Sequence, residues 1–64
     1  MTTARKIREI TGVLTYWLVE RGPKLYLVTT YPNSDLFFAQ SYPARRTIPL
    51  RPQMKADIKQ AIFG

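Results

Sequence analysis

Side chains able to do acid–base or metal chemistry are few in this chain and far apart. It carries four carboxylates, Glu9, Glu20, Asp35 and Asp57, and neither histidine nor cysteine. The commonest general base and metal ligand is therefore missing, and no thiolate or disulfide is available. The carboxylates are scattered, each with Lys or Arg nearby in sequence. No paired-carboxylate, nucleophile–base or phosphate-loop arrangement can be assembled from them. The sequence therefore reads as non-enzymatic, with no cofactor and no metal site. A histidine-free ribonuclease using Arg, Lys and Tyr is the remaining catalytic alternative.

Cations are the more abundant chemistry. Ten Lys and Arg against four Asp and Glu give a net charge of +6 and a pI of about 10.2. Such a balance favours anionic partners, either nucleic acid or an acidic surface on a protein or lipid, and excludes an acidic mimic of DNA. The charges are grouped: Arg5, Lys6 and Arg8 near the start, Arg21 and Lys24 around one turn, and Arg45, Arg46 and Arg51 around the last loop. Arg51, Lys55 and Lys59 recur every four residues, a ridge on a helix. The expected binding set is Lys24, Arg45, Arg46, Arg51, Lys55 and Lys59 on phosphate, with Tyr26 and Phe37 stacking on bases. A plainer reading of the same charges is a solvated face that keeps a small apolar domain dispersed. Tyr42 beside Arg45-Arg46 is the best local interface candidate, against an ordinary exposed loop. The leading expectation is a nucleic-acid-binding domain. The alternative, from another class, is a small phage-type inhibitor or regulator that docks on a larger protein or nucleoprotein complex.

The elements that would position these groups centre on Lys24–Tyr31, KLYLVTTY, the longest run of strong strand formers. Tyr31-Pro32-Asn33-Ser34-Asp35 ends it as a turn, and Leu36–Tyr42 follows as a second strand, so the pair reads as a hairpin. Counting outward from Tyr31 opposite Leu36 gives two faces. One holds Leu25, Leu27, Thr29, Tyr31, Leu36, Phe38, Gln40 and Tyr42, and its bulk marks it as the core face. The other holds Lys24, Tyr26, Val28, Thr30, Phe37, Ala39 and Ser41, and is expected to be the open one.

Upstream, residues 5–21 fit two patterns. As a helix, Ile7, Ile10, Leu14, Trp17 and Leu18 share a stripe, with Thr3 as N-cap and Gly22-Pro23 as the stop. As a strand, Gly12–Glu20 is rich in Thr, Val and aromatics, and Glu20–Pro23 is a hairpin turn. The strand is the preferred reading, after a frayed Met1–Ala4 and a short helical turn at Ala4–Ile10. Trp17 and the tyrosines are expected in the core or half-buried on the sheet. Downstream, Thr47-Ile48 reads as a short edge strand or a crossing segment. Pro52 then opens a helix to Phe63 whose apolar stripe is Met54, Ile58, Ala61 and Ile62. The fold class is α+β: a three-stranded antiparallel meander with a C-terminal helix packed on one face, or α-β-β-(β)-α if residues 5–21 are helical.

The sixty-four residues make a single domain, 1–64. A core of this size supplies only about 3–5 kcal/mol, so a homodimer or a bound partner is a reasonable expectation. No apolar run approaches the roughly 20 residues of a membrane span, and no signal peptide is visible, which leaves the cytoplasm as the default compartment. Arg46–Gly64, RTIPLRPQMKADIKQAIFG, resembles the last strand and helix of the HicA-type toxins, small double-stranded-RNA-binding-like RNases. Thr-Ile-Pro followed by a helix with Ile-Lys-Gln-Ala near its end carries the resemblance. Those toxins rely on a histidine that this chain lacks, so the resemblance does not imply their activity.

Overall fold

The structure is a computed structural model describing residues 1–64. Five strands and one helix follow in the order β1 (Thr2–Ile10), β2 (Leu14–Arg21), β3 (Lys24–Thr30), β4 (Phe37–Ser41), β5 (Thr47–Ile48) and α1 (Pro52–Phe63). The strands form one antiparallel sheet in chain order, a simple meander. The α+β architecture read from the sequence is present, with two strands added at its edges.

The turns follow from their residues. Ile10–Val13 closes with the Val13 N–H donating to the Ile10 carbonyl at 2.9 Å. Gly12, at φ +79°, occupies the left-handed position that side chains avoid. Arg21 pairs with Lys24 across Gly22-Pro23, and Gly22 at φ +62° is the glycine-first arrangement of a II′ hairpin turn. Asn33 supplies the positive φ of the third connection, as asparagine tolerates. Pro52 opens α1, and Gly64 donates back to the Gln60 carbonyl at 3.0 Å.

Two readings of the amino-terminal part are corrected. Met1–Ala4 is not frayed and Ala4–Ile10 is not helical, because Thr2–Ile10 is a nine-residue edge strand paired along the whole of β2. Residues 5–21 are accordingly a hairpin, and the helical alternative fails. Without β1, β2 would be a bare edge and Val19 would lose its cover from Ala4, its partner in the ladder.

The core lies between the sheet and α1. Val19, Tyr26, Val28, Phe37 and Ala39 face Met54 and Ile58, with Ala4, Trp17, Ile48, Leu50 and Ile62 packed around them. This reverses the expected orientation of the central hairpin. Its register is as counted, since Thr30 pairs with Phe37 and Thr29 with Phe38. The helix, however, covers the Tyr26–Val28–Phe37–Ala39 face and leaves the Leu25–Phe38–Gln40 face uncovered, although Leu27 and Thr29 at the centre of that face are buried. The reason is steric. The helix backbone comes closest to β1 and β2, where Ala4 and Val19 are small and face the core, so they let it settle there as bulkier side chains would not. Arg21 fastens the helix from β2, its Nε donating to Asp57 Oδ2 at 3.0 Å. Asp57 therefore pairs across to the sheet, not with Lys55 or Lys59 on its own helix.

Candidate nucleic-acid interface

Two of the expected site residues are removed from the site by this packing. Tyr26 and Phe37 are 7% and 8% exposed and belong to the core, so neither can stack on a base. Their neighbours one position along the strands take their place on the open face. The remaining expected residues are dispersed. Lys24 lies at the β2–β3 turn beside Arg21 and Asp57. Arg51, Lys55 and Lys59 are exposed at the start and on the outside of α1. Arg46 is exposed, with its backbone bonded to Ser41 in both directions. Only Arg45 reaches the open sheet face.

That face is built in rows across the strands. Arg8, Tyr16, Thr29 and Phe38 make one row, and Arg5, Leu18, Leu27, Gln40 and Thr47 the next. Leu25, Phe38 and Tyr42 on this face are 38%, 39% and 42% exposed. The rings of Tyr31 and Phe38 lie 6.3 Å apart and tilted by 34°. Arg5 and Arg8 border the face along β1, and Glu20 is the one carboxylate on the same side of the strands.

A local irregularity puts Arg8 there. The β1–β2 ladder pairs Lys6 with Trp17, then shifts so that Arg8 pairs with Tyr16. Had the first register continued, Arg8 would fall opposite Thr15, on the helix side. The bulge at Ile7 re-aims it, as bulges do. It also leaves Lys6 and Glu9 on one side, where they pair at 2.9 Å.

The segment after β4 is held by several hydrogen bonds. Ser41 N–H donates to the Arg46 carbonyl at 2.8 Å, Tyr42 N–H to the Leu25 carbonyl at 3.1 Å, and Arg45 N–H to the Ser41 carbonyl at 2.6 Å. The Arg46 N–H donates to Ser41 Oγ at 3.2 Å. Within this turn Arg45 has φ +60°, a conformation in which a side chain costs about 1–2 kcal/mol. The result is a hollow of about 400 Å³ lined by Ile7, Arg8, Tyr16, Leu27, Tyr42 and Arg45. The sequence had put Tyr42 and Arg45 together as a candidate. It missed Tyr16 and Phe38, whose signal is the strand alternation once the open face is known, and Arg8, which the bulge alone brings there.

The other charged groups are partly neutralised. Among the ten cations, Lys6 and Arg21 are ion-paired. Asp57 is held below its ordinary value of 3.8 by the Gln53 side-chain amide and then by Arg21. The four carboxylates do not converge, and no cluster of three or more metal-ligating side chains forms. No helix is long and apolar enough to cross a membrane. Searches against known protein families, curated proteins and solved structures find no match to this chain.

Proposed function

We propose that the protein is a non-enzymatic nucleic-acid-binding domain that works through the uncovered face of its sheet. Arg5, Arg8 and Arg45 take phosphates, and Tyr16, Phe38 and Tyr42 offer their rings to bases. The observation that carries this reading is the coincidence of exposed aromatics and unpaired arginines on the one sheet face the helix leaves bare. Cations alone would serve dispersal equally well. Flat rings between them suit a ligand whose charge and π-faces alternate along a chain. An acidic protein ligand, which a docking inhibitor or regulator would have, meets the cations but gives less reason for flat rings set between them.

The test is fluorescence anisotropy with labelled oligonucleotides, single-stranded and duplex, at about 50 and 200 mM salt, where counterion release is visible. Three phosphate contacts give a slope of roughly −2 to −2.7, hence about a 20- to 40-fold loss of affinity over that range. Arg5→Gln/Arg8→Gln/Arg45→Gln should abolish the slope while leaving circular dichroism unchanged. No binding at the lower salt would refute the reading and turn attention to an acidic protein surface.

A further inference from the structure

We infer that the hollow over Leu27 is a subsite for one unpaired nucleobase, so that the protein selects single-stranded nucleic acid over duplex. This rests on the nucleic-acid reading above and goes further, because it names the form of the ligand and the place where it is read. Two separate departures from regular backbone each turn an arginine towards the same hollow. The bulge at Ile7 moves Arg8 to the open face, and the left-handed residue within the β4–β5 connection is Arg45. Glycine would take that φ without cost. Arginine there, in a turn fixed by hydrogen bonds, is strain of the kind that accompanies a functional side chain.

Between these two cations lie Tyr16 and Tyr42 as walls and Leu27 as floor, 5% exposed. The hollow, of about 400 Å³, is shallow and open to solvent, so it would take a ring laid on its surface. An unpaired base can place its ring against Tyr16 or Tyr42 while its flanking phosphates reach Arg8 and Arg45. A base inside a duplex cannot, since its faces are covered by neighbours and must be unstacked first. A second copy of this chain is a poorer occupant, because it would set arginines against arginines. An acidic peptide would meet the arginines but leave the tyrosine faces without a flat partner.

The experiment compares anisotropy of labelled single-stranded DNA and RNA of one sequence, the matched duplex, and the single strand carrying abasic positions. Intact single strands should bind about tenfold or more tighter than the abasic strand and the duplex, the order that stacking one base on an aromatic ring supplies. The preference should vanish in Tyr42→Ala and return in Tyr42→Phe. Arg45→Gly, which relieves the left-handed backbone and so should fold at least as well, should weaken all strands and reduce the salt slope by about 0.7. Equal DNA and RNA affinity would place recognition in base and phosphate. A preference for RNA would add the 2′-hydroxyl to the same subsite. Salt-sensitive binding with no discrimination against abasic or duplex ligands overturns the subsite and leaves the broader reading standing. Absence of binding to every oligonucleotide overturns both.

Discussion

Phe37 and Phe38 are adjacent, identical in type, and on opposite faces, so truncating each in turn tests which side of the sheet is the core. Phe37 is 8% exposed and packed in the cluster with Met54 and Ile58. Its replacement by Ala removes transfer energy and leaves a cavity, about 3–5 kcal/mol together. The whole domain, at this size, holds only about 3–5 kcal/mol. Phe37→Ala should therefore lack a folded baseline at 25 °C. Phe38 is already 39% exposed, opens no closed cavity, and forgoes only part of a phenyl group's roughly 1.5–3 kcal/mol of burial. Losing that and its tilted contact with Tyr31 should cost about 1–2 kcal/mol. Urea denaturation followed by far-ultraviolet circular dichroism reads the difference. With m near 1 kcal/mol/M for a small chain, Phe38→Ala should lower the midpoint by about 1–2 M and remain two-state. Phe37→Leu keeps a folded reference in case Phe37→Ala gives no transition. A Phe38→Ala protein less stable than Phe37→Ala would refute the face assignment, and the proposed interface with it.

Two further outcomes follow from the charged groups. Asp57 is ionised more readily in the folded chain than its ordinary value of 3.8 implies, held by Gln53 first and Arg21 second. A lowered folded value gives stability that is complete above pH 3.8 and lost as the pH falls through the folded value. The Tm of the parent should therefore fall more steeply than that of Asp57→Asn between about pH 4 and pH 2, and parallel curves would show that the Arg21–Asp57 link contributes nothing. Arg45→Gly should keep or raise Tm, gaining up to about 1–2 kcal/mol from relief of φ +60°, partly offset by a looser unfolded chain. A clear loss of stability would mean that the Arg45 side chain is structural.

The central hairpin and the helix were legible because local chemistry and periodicity agree there. Strand formers bounded by Pro-Asn-Ser-Asp, and an apolar stripe opened by Pro52, leave few alternatives. β1 was not legible, because an edge strand need not alternate. Arg5, Lys6, Arg8 and Glu9 are all exposed, the charged protection that edges carry, and such a run shows no buried face to count. The choice of face failed for another reason. Summed hydrophobic bulk favours Leu25, Leu27 and Phe38, yet what seats a helix is closeness of approach, which Ala4 and Val19 allow on β1 and β2. Tyr26 and Phe37 thereby fall on the expected open face, although the alternation itself is right. Arg45 and Tyr42 were legible as neighbours in sequence, whereas Arg8 depended on a bulge that no single-sequence pattern announces.

The same arginines bear on both the dispersal reading and the binding reading, and position separates the two. Dispersal needs exposed charge of either arrangement. Lys55 and Lys59 on the outside of α1 meet that need, and so would an Arg8 left on the helix side of β1. It gives no reason for a displaced register at Ile7 or for a side chain held at a positive φ at Arg45. The positive φ at Arg45 costs stability that matters in a domain with so little of it. Each irregularity turns a cation towards the one face where tyrosine and phenylalanine rings stand exposed. A core built on one parity of the strands leaves the other parity free to carry such features, since truncating an exposed ring there removes little of what holds the helix to the sheet. Two backbone irregularities that bring arginines to one hollow are the feature the binding proposal accounts for and dispersal alone does not.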